Sequence, residues 1–329
     1  MPPIGQMPLV STVIAVYNGE DFIGEAINSV LNQTYPNVEI IVVDDGSTDA
    51  TQSILKSFGE KITWTWQKNS GTPAARNVGV RMSQGKYIAL LDCDDLWLPD
   101  KIRMQLEAFE RYPEAVLVWG GAVRSNKGWT NEKNDQEYHK ERKFLDLKEL
   151  LIHNRIAALA AMFRRDVAIS IDGFDEALLH CDDWDMWIRL AQLGSMVYVD
   201  QTLGIYRVHE KQMTKKSYNL SLGELSVVKK HRDTFYRLHN GRGLYRSEIA
   251  RRLSVAAMES IKVRQYQGAW RLSFKAIMTL KTDVWPTCMK IILECLLGTH
   301  LYTKMASFVK KLGHNDPRKR ICGFEDGDE

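Results

Sequence analysis

Between residues 9 and 119, five short apolar runs alternate with four amphipathic ones, and that alternation limits the fold more than any other feature of the chain. The runs at 9–17, 38–43, 61–66, 86–91 and 115–119 are brief, rich in β-branched or aromatic residues, and bounded by polar turn residues. They predict strands. The segments between them, 20–33, a stretch running to about 58, 73–82 and 99–111, predict helices. In the first of these, Phe22, Ile23, Ala26, Ile27, Val30 and Leu31 share one face. Such a rhythm predicts an α/β fold whose mainly parallel sheet is flanked by helices on both faces. Ligands of such sheets bind outside the carboxyl ends of the strands.

Two acidic segments fall at that edge. One is Asp44-Asp45-Gly46-Ser47-Thr48-Asp49 after the second strand; the other is Asp92-Cys93-Asp94-Asp95 after the fourth. Three carboxylates closing a buried strand are costly unless a cation or a dense set of donors neutralises them. Magnesium is commonly held by one or two carboxylates together with substrate phosphates. A helix cap is the competing reading of each segment alone, but two such clusters on one edge favour a site.

The rest of the composition excludes several classes. At 44% hydrophobic and 26% charged, 329 residues are ordinary for a globular protein of one large domain or two. Five cysteines, at 93, 181, 288, 295 and 322, form no zinc-spaced cluster, so reduced thiols in a cytoplasmic protein are expected. The first residues show no secretory pattern. The best apolar window, 284–301, is broken by Pro286, Lys290 and Glu294, too polar for a bilayer span. Charge is uneven: residues 1–200 hold 20 basic and 29 acidic side chains, residues 201–329 hold 24 and 12. That split predicts two surfaces, one suited to a metal and one to an anionic partner.

The ordered segments Val13-Ile14-Ala15-Val16-Tyr17-Asn18, Val42-Val43-Asp44-Asp45-Gly46-Ser47-Thr48-Asp49, Asn69-Ser70-Gly71-Thr72-Pro73-Ala74-Ala75-Arg76-Asn77 and Asp92-Cys93-Asp94-Asp95 resemble the signature of family 2 glycosyltransferases. Gly173-Phe174-Asp175-Glu176, Asp182-Asp183-Trp184-Asp185-Met186-Trp187 and Tyr206-Arg207-Val208-His209 are similar to that family's later motifs. The resemblance spans about residues 9–210. It implies a GT-A fold, a nucleotide-sugar donor, Mg2+ or Mn2+, and inversion at the anomeric carbon.

It also implies roles. Asp45 would accept a hydrogen bond from the base, with Asp44 its structural neighbour or a cap. Asp92 would lie near the ribose and Asp94 on the metal, with Asp95 assisting or capping the next helix. Ala15 departs from the family's usual Pro or Thr, which leaves one donor contact in doubt. Asp183 would be the base, with Asp182 standing where the family has glutamate; the alternative is that both simply favour the helix dipole. Tyr17 reads either as a ring stacking on a base or as a core tyrosine. Arg76, one turn into a helix opened by Gly71-Thr72-Pro73, suits a diphosphate, or is a surface cation. His209 reads as a second metal ligand or as an ordinary packed histidine. Trp184 and Trp187 read as a sugar platform or as core, core being expected for at least one. Asp185 reads as structural.

Beyond about residue 220 helical patterns take over, at 247–266, 267–280 and 284–297. The expected division is a catalytic domain over 1–215, a C-terminal all-helical extension over 216–314, and a polar, disordered tail over 315–329. Leu293, Leu296, Leu297, Leu301, Met305 and Phe308, with Lys304, Lys310 and Lys311 nearby, predict either a helix on an anionic membrane surface or a cap on the catalytic domain. The expected partners are a nucleotide-sugar, expected to be UDP-linked, and a glycan or lipid-linked acceptor, with no nucleic acid. The expected location is cytoplasmic, with a peripheral place on the inner face of the membrane as its extension. A sugar-nucleotide-forming nucleotidyltransferase is the alternative enzyme, but Tyr17-Asn18-Gly19-Glu20-Asp21 lacks the basic residue such a loop needs. A non-catalytic sugar-binding relative is the other; it would not need a base.

Overall fold

The computed structural model describes residues 7–125, 144–210, 212, 217–279, 288–289 and 292. The stripe from Leu293 to Lys311 and the tail from 315 lie outside them. The chain divides into two compact units, Met1–His239 and Asn240–Glu329.

The first unit is built on strands β1 (Val10–Val16), β2 (Val38–Asp44), β3 (Thr63–Trp66), β4 (Tyr87–Leu90), β5 (Leu96–Trp97), β6 (Ala115–Ser125), β7 (Ala161–Arg164) and β8 (Ser195–Arg207). Its helices are α1 (Ile23–Leu31), α2 (Thr51–Ser57), α3 (Thr72–Met82), α4 (Lys101–Arg111), α5 (Leu147–Ile152), α6 (Arg165–Ser170), α7 (Asp182–Leu190), α8 (Ser217–Lys230) and α9 (Arg232–Tyr236). The strands form one sheet in the order β3-β2-β1-β4-β7-β6-β8-β5. Pairings β3–β2, β2–β1, β1–β4 and β6–β8 are parallel. Those of β7 with both neighbours and of β5 with β8 are antiparallel. The sheet is therefore mixed, and its antiparallel pairs involve the two shortest late strands. Parallel pairing needs a helical crossover, which the 9–91 segment supplies.

Side-chain alternation explains why β1 and β2 carry apolar residues on both of their faces. Val10, Ile14, Val16, Ile40 and Val42 pack with Ile23, Ile27, Val30, Leu55, Ile102 and Phe109 of α1, α2 and α4. Ile41 and Val43 point to the other face and pack on Ala75 of α3. Each fully buried Ile, Leu or Phe contributes on the order of 1.5–3 kcal/mol. Close approach of α3 to β1 requires Gly79, where a Cβ would stand 2.3 Å from a Val13 methyl. The strand ends therefore sit at fixed heights under α3.

In the second unit α10 (Gly241–Lys262) and α11 (Tyr266–Thr279) pack on each other through small residues, Ala257 against Ala269, with Met258, Ile261 and Leu272 around them. Among the described residues no helix is long and apolar enough to cross a membrane.

Candidate active site

The carboxyl ends of β1, β2 and β4 carry the loops in which the sequence motifs lie. Asn18 takes a positive φ of 51°, a conformation Asn tolerates better than most residues. Its main-chain N–H donates to Ser47 Oγ and its Oδ1 accepts from the Thr48 N–H, which stitches the β1 loop to the β2 loop. Tyr17 on that loop is 52% exposed and not part of the core.

Asp44 is buried and closes a turn by accepting from the Ser47 N–H. Asp45, also buried, accepts from Gln67 Nε2 at 2.7 Å, the Ser70 N–H at 2.9 Å and the Gly71 N–H at 2.8 Å. It thereby fixes the loop that opens α3. An ionised carboxylate offers about four lone-pair sites, so one direction stays open to a ligand.

α3 presents Arg76. Its guanidinium is buried, with Nη2 donating to Asp92 Oδ1 at 2.6 Å and Nη1 donating to Asp182 Oδ2 at 2.7 Å. It also stands 5.6 Å from the Phe174 ring centroid. Burial opposes the charge, but Asp182, Asp92 and Asp183 outweigh it and raise the pKa above the ordinary arginine value. Neighbouring Asn77 locks the approach to α7, donating to the Phe174 carbonyl and Glu176 Oε1 and accepting from the Phe174 N–H. Arg76 thus joins β4's acidic turn to the start of α7, the second contact spanning 106 positions of sequence.

After β4 the chain makes the turn Asp92–Asp95, then pairs as β5 with the end of β8, Leu96 against Ile205. This register delivers His209 to Asp94, with Nε2 and Oδ2 2.9 Å apart, and stacks its ring on Phe22 at 4.6 Å. Asp95 accepts from the Arg207 N–H, and its other oxygen is buried with no partner among the described residues. Burial and the Asp92 charge raise the pKa of Asp94, against a partial counter-effect from His209. Burial, Asp92 and Asp94 push Asp95 well above the usual carboxylate range. The same surroundings, burial first, push the Cys93 thiol up. The turn is short of positive charge.

A hard divalent cation fits that deficit. The Asp94 carboxylate is an oxygen donor that suits Mg2+ or Mn2+, His209 adds an imidazole that the transition ion Mn2+ accepts more readily than Mg2+ does, and the orphaned oxygen of Asp95 belongs to the same turn. Among the described residues no set of three or more His, Cys, Asp or Glu is spaced to hold a metal unaided. A cation here would take its remaining ligands from a phosphate-bearing substrate and water.

On α7, three acids occupy the first turn and are treated differently. Asp182 binds Arg76. Asp185 is fully buried and meets Arg189 at 2.8 Å, Lys230 at 2.7 Å and His231 at 2.9 Å. Burial alone would raise its pKa, yet His231, Arg189 and Lys230 hold it down at about 2. Among the described residues no cation meets Asp183 directly: it accepts from the Trp184 N–H and from Asn154 Nδ2 at 3.1 Å. Burial and the adjacent Asp182 raise its pKa to about 6, with Arg76 pulling the other way. Trp184 and Trp187 are both core, their N–H groups donating to the carbonyls of Leu150 and Ile156.

The structure thus gathers Asp92, Asp94, His209, Arg76, Asp182 and Asp183 through direct contacts or adjacency. Tyr17 and Asp45 sit on the neighbouring loops. Sequence reasoning passed over Asn154, Gln67, Phe22 and the Lys230–His231 pair. No local pattern announces the first three, whereas the buried acid Asp185 in an otherwise apolar helix face was a signal that cations must meet it.

Residues 11–171 match the family described as Glycosyl transferase family 2. A Rickettsia typhi glycosyltransferase, itself uncharacterized, is 36% identical over 216 residues, covering 64% of this chain and 68% of its own length. A Bacillus subtilis glycosyltransferase named for teichuronic acid biosynthesis is 30% identical, covering 64% of this chain and 83% of its own. Among solved structures, Staphylococcus aureus TarS 1–349 in complex with UDP-GlcNAc superposes with a TM-score of 0.64 at 15% identity, covering 92% of both chains. The mannosyltransferase PcManGT of Pyrobaculum calidifontis, in complex with GDP-Man and Mn2+, superposes at 0.56 and 17% identity, covering 96% of this chain and 90% of its own. These likenesses agree with the mixed sheet in showing a GT-A fold. With the motifs in order at one sheet edge, the chain belongs to glycosyltransferase family 2 and is a transferase.

Proposed function

We propose that the chain is an inverting, metal-dependent glycosyltransferase that moves a sugar from a nucleotide-sugar, UDP-linked, to a hydroxyl of a glycan or lipid-linked acceptor in surface polysaccharide synthesis. The observation that carries this reading is the buried Arg76 bridge between Asp92 and Asp182, because it makes the acidic strand end and the first turn of α7 parts of one site. Support for the donor class comes from similar folds that hold UDP-GlcNAc or GDP-Man with Mn2+.

In this mechanism Tyr17 stacks on the base and the remaining lone pair of Asp45 accepts from it. Asp92 faces the ribose, with Arg76 as its buried counter-ion. Asp94 and His209 would hold Mg2+ or Mn2+, which supplies charge neutralisation for the departing nucleoside diphosphate. Asp183 takes the proton of the acceptor hydroxyl as the oxygen bonds to the anomeric carbon. The bond from that carbon to the phosphate oxygen breaks and its electron pair leaves with the phosphate. A carboxylate with a pKa near 6 is ionised at neutral pH yet more basic than an ordinary aspartate. Asp182, already spent on Arg76, orients rather than accepts. The acceptor's lipid carrier would bring the protein to the inner face of an anionic membrane as a peripheral enzyme.

The test is a panel of nucleotide-sugars, each scored for thermal stabilisation and slow hydrolysis with Mn2+, with Mg2+ and with chelator. A UDP-sugar is expected to stabilise and to be hydrolysed only with a divalent ion. No response to any nucleotide-sugar would overturn the reading.

A further inference from the structure

Helix α11 is built inside out. Its inward face, against α10, carries the small residues Ala269, Ser273 and Ala276, while Trp270, Phe274 and Met278, spaced i, i+4, i+8, are 44%, 50% and 72% exposed. Trp270 and Phe274 stack on each other with centroids 5.8 Å apart. An amphipathic helix of a globular protein buries its bulky apolar side chains. Three in a row on the outside form a patch that needs an apolar surrounding.

Arg271 and Lys275 flank that stripe on the same outward side, exposed, and neither is in an ion pair with a described residue. α11 holds no acidic residue. Over residues 240–279 the basic side chains are Arg242, Arg246, Arg251, Arg252, Lys262, Arg264, Arg271 and Lys275; the acids are only Glu248 and Glu259. Both acids are already taken, Glu248 by Arg251 and Glu259 by Lys262. We infer that the outward face of α11 is a docking surface for an anionic lipid bilayer, with Trp270, Phe274 and Met278 at the acyl boundary and Arg271 and Lys275 at the headgroups.

Charge complementarity selects this occupant. Two such faces meeting in a dimer would bring four uncompensated cations together, whereas anionic headgroups neutralise them. Trp at the rim suits a surface where one side is apolar and the other wet. The inference rests on the peripheral-membrane part of the function proposed above and adds the surface that performs it.

The test is sedimentation of the full-length chain with vesicles of phosphatidylcholine alone or mixed with phosphatidylglycerol. The intact chain is expected to partition onto the mixed vesicles and to be released by salt. Trp270→Gln/Phe274→Gln is expected to weaken partitioning by about tenfold or more, because two aromatic side chains lose their burial. Arg271→Gln/Lys275→Gln should weaken it about tenfold at low salt and flatten its salt dependence. Unchanged circular dichroism and unchanged response to a UDP-sugar keep folding and donor binding out of the comparison. If the intact chain ignores anionic vesicles, both this surface and the peripheral-membrane reading fall. If it binds and both double variants bind equally, the surface alone is overturned. If Trp270→Gln/Phe274→Gln turns an oligomer into a monomer while vesicle binding persists, the face belongs to a second copy, and the surface is again overturned.

Discussion

The turn Asp92–Asp95 and the helix start Asp182–Asp185 each hold three carboxylates within four residues, yet the protein neutralises them in opposite ways. At α7 the fold supplies the cations. Arg76 meets Asp182, and Arg189 and Lys230 meet Asp185 with the His231 ring beside them, so among the described residues Asp183 has no cation against it. At the β4 turn one arginine touches Asp92, one imidazole touches Asp94, and Asp95 receives a main-chain N–H. The pKa directions follow: Asp185 is held low, whereas Asp94 and Asp95 are pushed up. An acidic cluster completed by the protein's own cations is structure. One left in deficit is where the proposed function puts an external cation and an anionic substrate, and it gives the acid beside the neutralised Asp182 the proton.

Asp94→Ala should show the largest effect. It removes a carboxylate from the deficient cluster, and the charge stabilisation a bound metal supplies is worth several kcal/mol, so kcat/KM should fall about a thousandfold or more. Steady-state transfer with saturating Mn2+ measures it; a variant within tenfold of the parent would erase the distinction between the clusters. Asp183→Asn should retain donor affinity and lose about 10²–10⁴-fold in transfer, the usual contribution of a general base. Calorimetric donor binding beside single-turnover transfer separates the two, and an active variant would move the base elsewhere.

Asp185→Asn tests the completed cluster. Removing one member of a buried charge network costs about 3 kcal/mol, read as a lower urea midpoint, while donor binding persists if the network is purely structural. Its folded pKa lies below the ordinary value, so its stabilisation is present above about pH 4 and fades as pH falls towards 2; Asp185→Asn should lack that acid limb. The smallest effect is the pH profile of transfer. Because Asp183 titrates near 6, the rate should rise about tenfold per pH unit below 6 and level off above it. A profile flat down to pH 4 would remove the raised carboxyl from the reaction.

Much of this was legible in the chain itself. β1, β2, β4 and α1 to α4 announce themselves because strands covered on both faces are mostly apolar and their covering helices are amphipathic, whereas β3, an exposed edge strand, shows only as a β-branched and aromatic run. β5, β7 and β8 did not. β5 has two residues, β7 lies in an alanine-rich stretch that favours helix, and β8 is interrupted by exposed Asp200 and Gln201. Their stability comes from pairing with distant partners, which no local window reports. The same limit applied to the site. Motif order nominated Asp45, Arg76, Asp92, Asp94, Asp183 and His209 as candidates, but only the Leu96–Ile205 register puts His209 on Asp94.

The sequence by itself therefore determined the α/β class, the edge on which the carboxylates lie and the family that the order of motifs implies. These depend on periodicity and composition, which are local. Only the tertiary structure decided which carboxylate keeps its charge to itself. Arg76 had suited a diphosphate by its place in a helix start, but in the fold it is buried between Asp92 and Asp182. Electrostatic neutralisation depends on separations of a few ångströms between residues a hundred positions apart, and a linear chain does not contain them.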